Sequence, residues 1–150
     1  MLDPINRKLL ALLRRDARLK YADLGKEANL SPPAVFERVK KLEKSGVIRR
    51  YTVELDPDPL ELGLCAFIQI RISPGPLNCH DIARALEPYP EVQEAHSIAG
   101  EDCVLAKVRT ANTAALDALL QKIRAIQGVE RTQTTVVLST QFERGVTPEG

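Results

Sequence analysis

The chain has 150 residues, 44% of them hydrophobic and 27% charged. That is enough apolar material for one large domain or two small ones, and it excludes a big multidomain enzyme, a disordered chain and a fibrous one. Aromatic residues make up 4%, with no Trp, which argues against a platform that stacks single-stranded bases or sugars. The formal net charge of +1 conceals a split: residues 1–50 hold thirteen Lys and Arg against six Asp and Glu, a balance of +7, while residues 51–150 hold eight against fourteen, a balance of −6. A basic module joined to an acidic one points the first half toward nucleic acid.

In chain order, Asp3 caps a first helix, Pro4 suits its first position, and Ile5, Leu9, Leu12 and Leu13 recur at helical spacing to about Arg15. A shorter helix runs from about Tyr21 to Ala28, and only Asn29-Leu30 separate it from the next start signal. Ser31 is an N-cap and Pro32 the first residue of a third helix, whose Val35, Val39 and Leu42 face inward until Ser45-Gly46 stops it. Three helices with one tight turn make a helix-turn-helix. The β-rich run from Val47 to Leu55 is expected to add a wing, and Asp56-Pro57-Asp58-Pro59 forbids its continuing as a central strand.

The period then changes. Residues 64–72 predict a strand, Asn78 caps a helix ended by Pro88 and Pro90, and two strands at 92–98 and 102–109 flank Ala99-Gly100-Glu101. Asn112 caps a helix with one apolar face, closed by Gly128, and a β-branched run over 129–139 predicts the last strand. The order βαββαβ predicts a ferredoxin-like sandwich, whose sheet carries helices on one face and needs a partner for the other. The expected fold is therefore α+β: a winged helix-turn-helix over residues 1–55, a linker over 56–63, and the sandwich over 64–150.

The third helix leaves Pro33, Ala34, Glu37, Arg38, Lys41 and Lys44 nearer its outer face. A helix fits the major groove, Arg reads guanine edges and Lys neutralises phosphate, so with Arg49 and Arg50 in the wing this surface is expected to bind double-stranded DNA. Arg38→Ala is the substitution expected to weaken that binding. Ser31 orients the helix N-terminus, whose free N–H groups can meet a phosphate. The alternative is a solvated basic helix with pairs such as Glu37 to Lys41.

Three cysteines, Cys65, Cys79 and Cys103, match no C-x-x-C pattern and are expected to be reduced thiols. His80 and His96 have no partners at a ligand spacing, and Cys79-His80 point about 100° apart on a helix, so no metal is expected. No nucleophile elbow, P-loop or G-x-G-x-x-G is present. The N-terminus, MLDPINRK, has no apolar signal core and no apolar run approaches the roughly 20 residues that span a bilayer, so a cytoplasmic chain without a membrane partner is expected.

The stretches LDPINRKLLALLRRDAR, ADLGKEANLSPPAVFERVKKLEKSGVIRRYTVELDP, GEDCVLAKVR and GVERTQTTVVL resemble the Lrp/AsnC family of bacterial and archaeal feast/famine regulators over nearly the whole chain. The resemblance implies a DNA-binding transcriptional regulator, not an enzyme and without a cofactor. It further implies homodimers paired through the second domain's sheet, assembly to octamers that wrap DNA, and an amino-acid effector bound between dimers. The effector site it implies comprises Ser97, Ala99, Gly100, Glu101, Asp102 and Cys103 with Thr134, Thr135 and Val136 of the last strand. The chemistry of these residues fits: Gly100 permits a bare backbone approach, Glu101 and Asp102 suit an ammonium, and the Thr134 and Thr135 hydroxyls suit a carboxylate. An acidic turn beside an exposed Thr-rich strand is the plainer reading of the same residues.

Several positions depart from the family pattern. Asn6 stands for an Asp, Lys20 for a capping Ser, Gly25 for a helical Ala and Cys103 for a frequent Tyr, and Pro33 is unusual. Gly25 is expected to cost its helix roughly 1 kcal/mol, and Cys103 to alter the pocket's size. Two alternatives remain, an architectural DNA-binding protein with no effector and a sirohaem-decarboxylase-like enzyme of the same fold.

Overall fold

The computed structural model describes residues 2–148. They form two compact units, the first containing residues 2–54 together with 142–148, the second spanning Leu55–Gln141. The tail from Phe142 was expected in the second domain and instead returns to the first. Within that unit Arg7 Nη1 donates to the Pro148 carbonyl and Arg14 Nη2 to that of Gly145.

The first unit holds α1 (Pro4–Arg15), α2 (Tyr21–Ala28) and α3 (Pro32–Lys44). The caps set these limits: Asp3 accepts from the Asn6 N–H and Ser31 from the Ala34 N–H, each with a proline in the first turn, where the missing N–H has no partner to lose. Lys20 precedes α2 without a side-chain cap. Asn29 then takes a left-handed conformation, φ 53°, and its N–H and that of Leu30 both close on the Gly25 carbonyl. Leu9, Leu24, Val35 and Val39 are fully buried between the helices.

Gly25 serves that turn. A β-carbon at this position would lie 2.5 Å from the Leu30 carbonyl oxygen, a backbone atom that cannot rotate away. Helix propensity favours Ala by about 1 kcal/mol, whereas forcing a methyl into a closed contact costs about 1–3 kcal/mol. Gly25→Ala is therefore expected to destabilise the protein by about 1 kcal/mol in urea unfolding; a gain in stability would show that the turn can yield.

The β-rich segment from Val47 to Leu55 forms no strand among the described residues. Its composition suits a ladder, but no described strand pairs with it, so the segment that follows α3 runs outside any ladder. The Tyr51 hydroxyl instead donates to Glu43 Oε1 of α3 at 2.8 Å. Burial, with that carboxylate beside it, pushes the Tyr51 hydroxyl up to about 12.

The second unit holds β1 (Leu64–Ile72), α4 (Cys79–Ala85), β2 (Val92–Ser97), β3 (Val104–Thr110), α5 (Thr113–Arg124) and β4 (Val129–Val136). The sheet order is β2-β3-β1-β4 with every neighbouring pair antiparallel, the ferredoxin-like arrangement. Asn78 makes a capping box with Asp81 at the start of α4, and Asn112 caps α5. Ala66, Ile68 and Ile70 of β1 and Val104, Ala106 and Val108 of β3 are buried with Ile82, Leu86, Leu119 and Ile123 of the helices. By strand alternation the opposite sheet face carries Phe67, Gln69, Leu105, Lys107, Arg109, Gln133 and Thr135, none of them buried.

Candidate DNA-binding face and effector turn

With Val35, Val39 and Leu42 inside, α3 turns Pro33, Glu37, Lys41 and Lys44 outward, all exposed. Lys40 joins them on the same exposed face and was missed by the sequence reading. Its Nζ lies 5.4 Å from the centroid of the Phe36 ring, which meets Tyr21 of α2 edge-on at 5.8 Å. Ala34 is half-buried, and Arg49 and Arg50 are exposed in the segment after α3. The Ser31 hydroxyl is committed to the helix cap.

Arg38 does not stand with the lysines. Its Nη1 donates to Asp3 Oδ2 at 2.6 Å and to Asn6 Oδ1 at 3.0 Å, so this guanidinium joins α3 to the start of α1. Asn6 keeps the acceptor that an Asp would offer. The Asn6 N–H and then Arg38 hold the Asp3 carboxyl below its usual range. A carboxyl depressed in the folded state stabilises above its unfolded value near 4, and that contribution is lost as pH falls through the folded value. Arg38→Ala is thus expected to lower the melting temperature at neutral pH, with the difference from wild type shrinking below about pH 4, and to leave the salt dependence of DNA binding little changed. A salt dependence that flattened in this variant would return Arg38 to the DNA.

At the other candidate site, the turn between β2 and β3 is closed by the Ile98 N–H donating to the Cys103 carbonyl. Gly100 has φ 143°, and no atom lies within 4 Å of where its β-carbon would be, so the backbone there is open to approach. The two acids are already engaged. Arg71 of β1 donates from Nη2 to Glu101 Oε2 at 2.6 Å and from Nε to Asp102 Oδ1 at 3.4 Å; Arg131 of β4 stands 3.8 Å from the same Asp102 oxygen. The Asp102 side chain is only 14% exposed, against 87% for Glu101 and 54% for Arg131. Arg71 and Arg131 face each other across the ladder, a pairing that sequence spacing alone does not reveal.

Thr134, Thr135 and Val136 are not beside this turn. They pair with Ile68, Phe67 and Ala66 of β1, and Thr135 lies four residues along β4 from Arg131, roughly 13 Å at about 3.3 Å per residue. Thr134 and Val136 face the helices with Ile68 and Ala66, while Thr135 shares the open face with Phe67. The two threonines therefore cannot hold one carboxylate together, because adjacent strand residues point to opposite faces. Ser97, paired with Val104, lies on the helix side of β2, and Ala99 stays in the turn. Cys103 follows the turn, partly buried against the core of this unit.

A helix-turn-helix head with a cationic exposed helix, on one chain with a ferredoxin-like domain bearing an open charged turn, defines a DNA-binding regulatory protein. The family model described as Lrp/AsnC ligand binding domain matches residues 65–147, and that described as winged helix-turn-helix DNA-binding matches residues 2–49. The chain is 38% identical to the HTH-type transcriptional regulator LrpA of Mycobacterium tuberculosis, over 93% of this chain and 91% of that one. It is 34% identical to the leucine-responsive regulatory protein of Escherichia coli, over 91% and 85%. Among solved structures, a transcriptional regulator of Neisseria meningitidis in complex with L-Met superposes with a TM-score of 0.89 at 28% identity, over 98% and 96% of the two chains. The chain belongs to the Lrp/AsnC family of transcriptional regulators. No helix among the described residues is long and apolar enough to cross a membrane.

Proposed function

We propose that this regulator binds duplex DNA as a homodimer or a larger assembly such as an octamer, through the outer face of α3 with Arg49 and Arg50, and that an amino acid tunes its assembly or DNA affinity. Pairing of the open sheet faces would set the distance between two recognition helices and hence the spacing of operator half-sites. The effector would lie at the Gly100 turn. One observation carries this reading: an open backbone at Gly100 adjoins a cluster of both charges, Glu101 and Asp102 with Arg71 and Arg131, and a zwitterion needs both signs. Within one chain, Thr134, Thr135 and Val136 are too distant to share that ligand, so their contribution would come from a second copy across a seam between dimers. The L-Met complex of the Neisseria meningitidis relative supports an amino acid as the ligand class.

The deciding experiment is a thermal-shift screen of the full chain against the twenty amino acids. At least one is expected to raise the melting temperature, as a ligand that binds the folded state must, and Arg131→Ala is expected to reduce that shift. If no amino acid moves the transition, the chain is an effector-independent architectural DNA-binding protein.

A further inference from the structure

The tail helps to enclose a recess in the first unit, apart from the outer face of α3 and from the Gly100 turn. Its volume is about 490 Å³, within the range of roughly 300–1,000 Å³ that small-molecule sites occupy. Leu10 and Leu13 of α1, Ile48 of the segment after α3 and Val146 of the tail give it an apolar lining, and Leu13 and Ile48 continue into the core of the head. Arg14 of α1 shares that lining with Arg49 and Arg50, and all three side chains reach solvent. Among the described residues no Asp or Glu lines the recess, and none of the three guanidiniums has a carboxylate partner. Arg14 gives one N–H to a neutral acceptor, the Gly145 carbonyl at 3.4 Å, out of the five donors that a guanidinium carries.

Three cations without a counterion make a strongly positive hollow. DNA phosphate accounts for a basic patch, since it is polar and charged, but it gains nothing from Leu10, Ile48 and Val146 beside the arginines. A ligand that uses both halves of the lining needs a negative head and an apolar body. We propose that this recess binds an organic anion of that kind, its carboxylate or phosphate headgroup held by Arg14, Arg49 and Arg50 and its aliphatic chain laid against Leu10, Leu13, Ile48 and Val146. A guanidinium fork pairs two N–H donors with two oxygens of either headgroup. Each methylene taken out of water adds a factor of about four in affinity. A free amino acid is disfavoured here, because its ammonium meets three guanidiniums and no carboxylate, so the recess and the Gly100 turn select different ligands. Where Arg49 and Arg50 contact DNA, a consequence that rests on the function proposed above, an anion in the recess occupies the same guanidiniums and weakens their hold on phosphate.

The test is calorimetric titration of the full-length protein with decanoate and with decyl phosphate. The expected result is saturable binding of one molecule per chain by at least one of them, the tighter of the two assigning the headgroup. Decanol and acetate are expected not to bind, since the first lacks the charge and the second the chain. Shortening the bound anion by two methylenes should weaken it about 15-fold. Arg14→Gln is expected to weaken binding about ten-fold, the worth of a hydrogen bond to a charged group. That variant also loses its bond to the tail, so Arg50→Gln, whose side chain has no partner among the described residues, is the second variant and should weaken the anion to a similar extent at an unchanged melting temperature. Binding of decanol as tight as that of decanoate, heats that never saturate, or an affinity unchanged in both variants would each overturn the proposal. If the anion binds and both variants weaken it while duplex DNA binds equally with and without it, the recess stands as a site and the assignment of Arg49 and Arg50 to DNA fails.

Discussion

Replacing Lys40, Lys41 and Lys44 together by Gln is expected to flatten the salt dependence of DNA binding. Each lysine that neutralises a phosphate adds about 0.9 to the slope of log affinity against log salt, so three remove about 2.7 for every head bound. Between 50 and 200 mM salt the wild-type protein should therefore lose about 40-fold more affinity than the variant. Gln nearly matches Lys in helix propensity, and all three side chains are exposed on α3, so the melting temperature should stay close to wild type. Parallel salt titrations would show that DNA lies against another surface. Arg38→Ala is the internal contrast, since that side chain is held by Asp3 and Asn6 and its loss acts on the junction of α1 and α3.

Phe67→Asp is expected to leave a folded monomer in place of the dimer proposed above. Phe67 lies on β1, a central strand, between Lys107 and Thr135 on the sheet face opposite α4 and α5. A carboxylate there meets water in the single chain, but pairing two such faces would bury it opposite its own copy, at a cost of several kcal/mol. At about 1.4 kcal/mol per factor of ten, a cost near 4 kcal/mol weakens a dimer about a thousand-fold. Light scattering at micromolar concentration reports the mass, and circular dichroism reports the retained fold. An unchanged oligomer would remove the open sheet face from the interface. The adjacent Ile68→Asp provides the control for orientation: its side chain is fully buried beneath the helices, so that substitution should unfold the domain.

What the sequence made legible follows the range over which each signal acts. Caps are local, and Asp3-Pro4, Ser31-Pro32, Asn78 and Asn112 begin helices where their side chains predict. Strand β1 runs from Leu64 to Ile72 as its alternation and β-branched content indicate. Most of the misreadings involve a partner distant in sequence. Arg38 has the composition of a DNA contact, and only the folded head brings it to Asp3 and Asn6. Glu101 and Asp102 look free for an ammonium until the sheet brings Arg71 and Arg131 to them. Val47 to Leu55 has the residues of a strand, but a strand exists only when another pairs with it. The separation of Thr134 from Thr135 was legible, since alternation along a strand is local, and it is the one error that the period of two corrects without a structure.

The return of the tail from Phe142 to the first unit makes the DNA-binding head a discontinuous domain, with the whole ferredoxin-like unit threaded between its two parts. Proteolysis within residues 56–63 cannot by itself liberate an intact head, because the fragment carrying α1 to α3 parts from the segment that Arg7 and Arg14 hold. The same chain path makes the segment from Phe142 to Pro148 a sensitive place for an insertion, since anything added there burdens the module that carries α3.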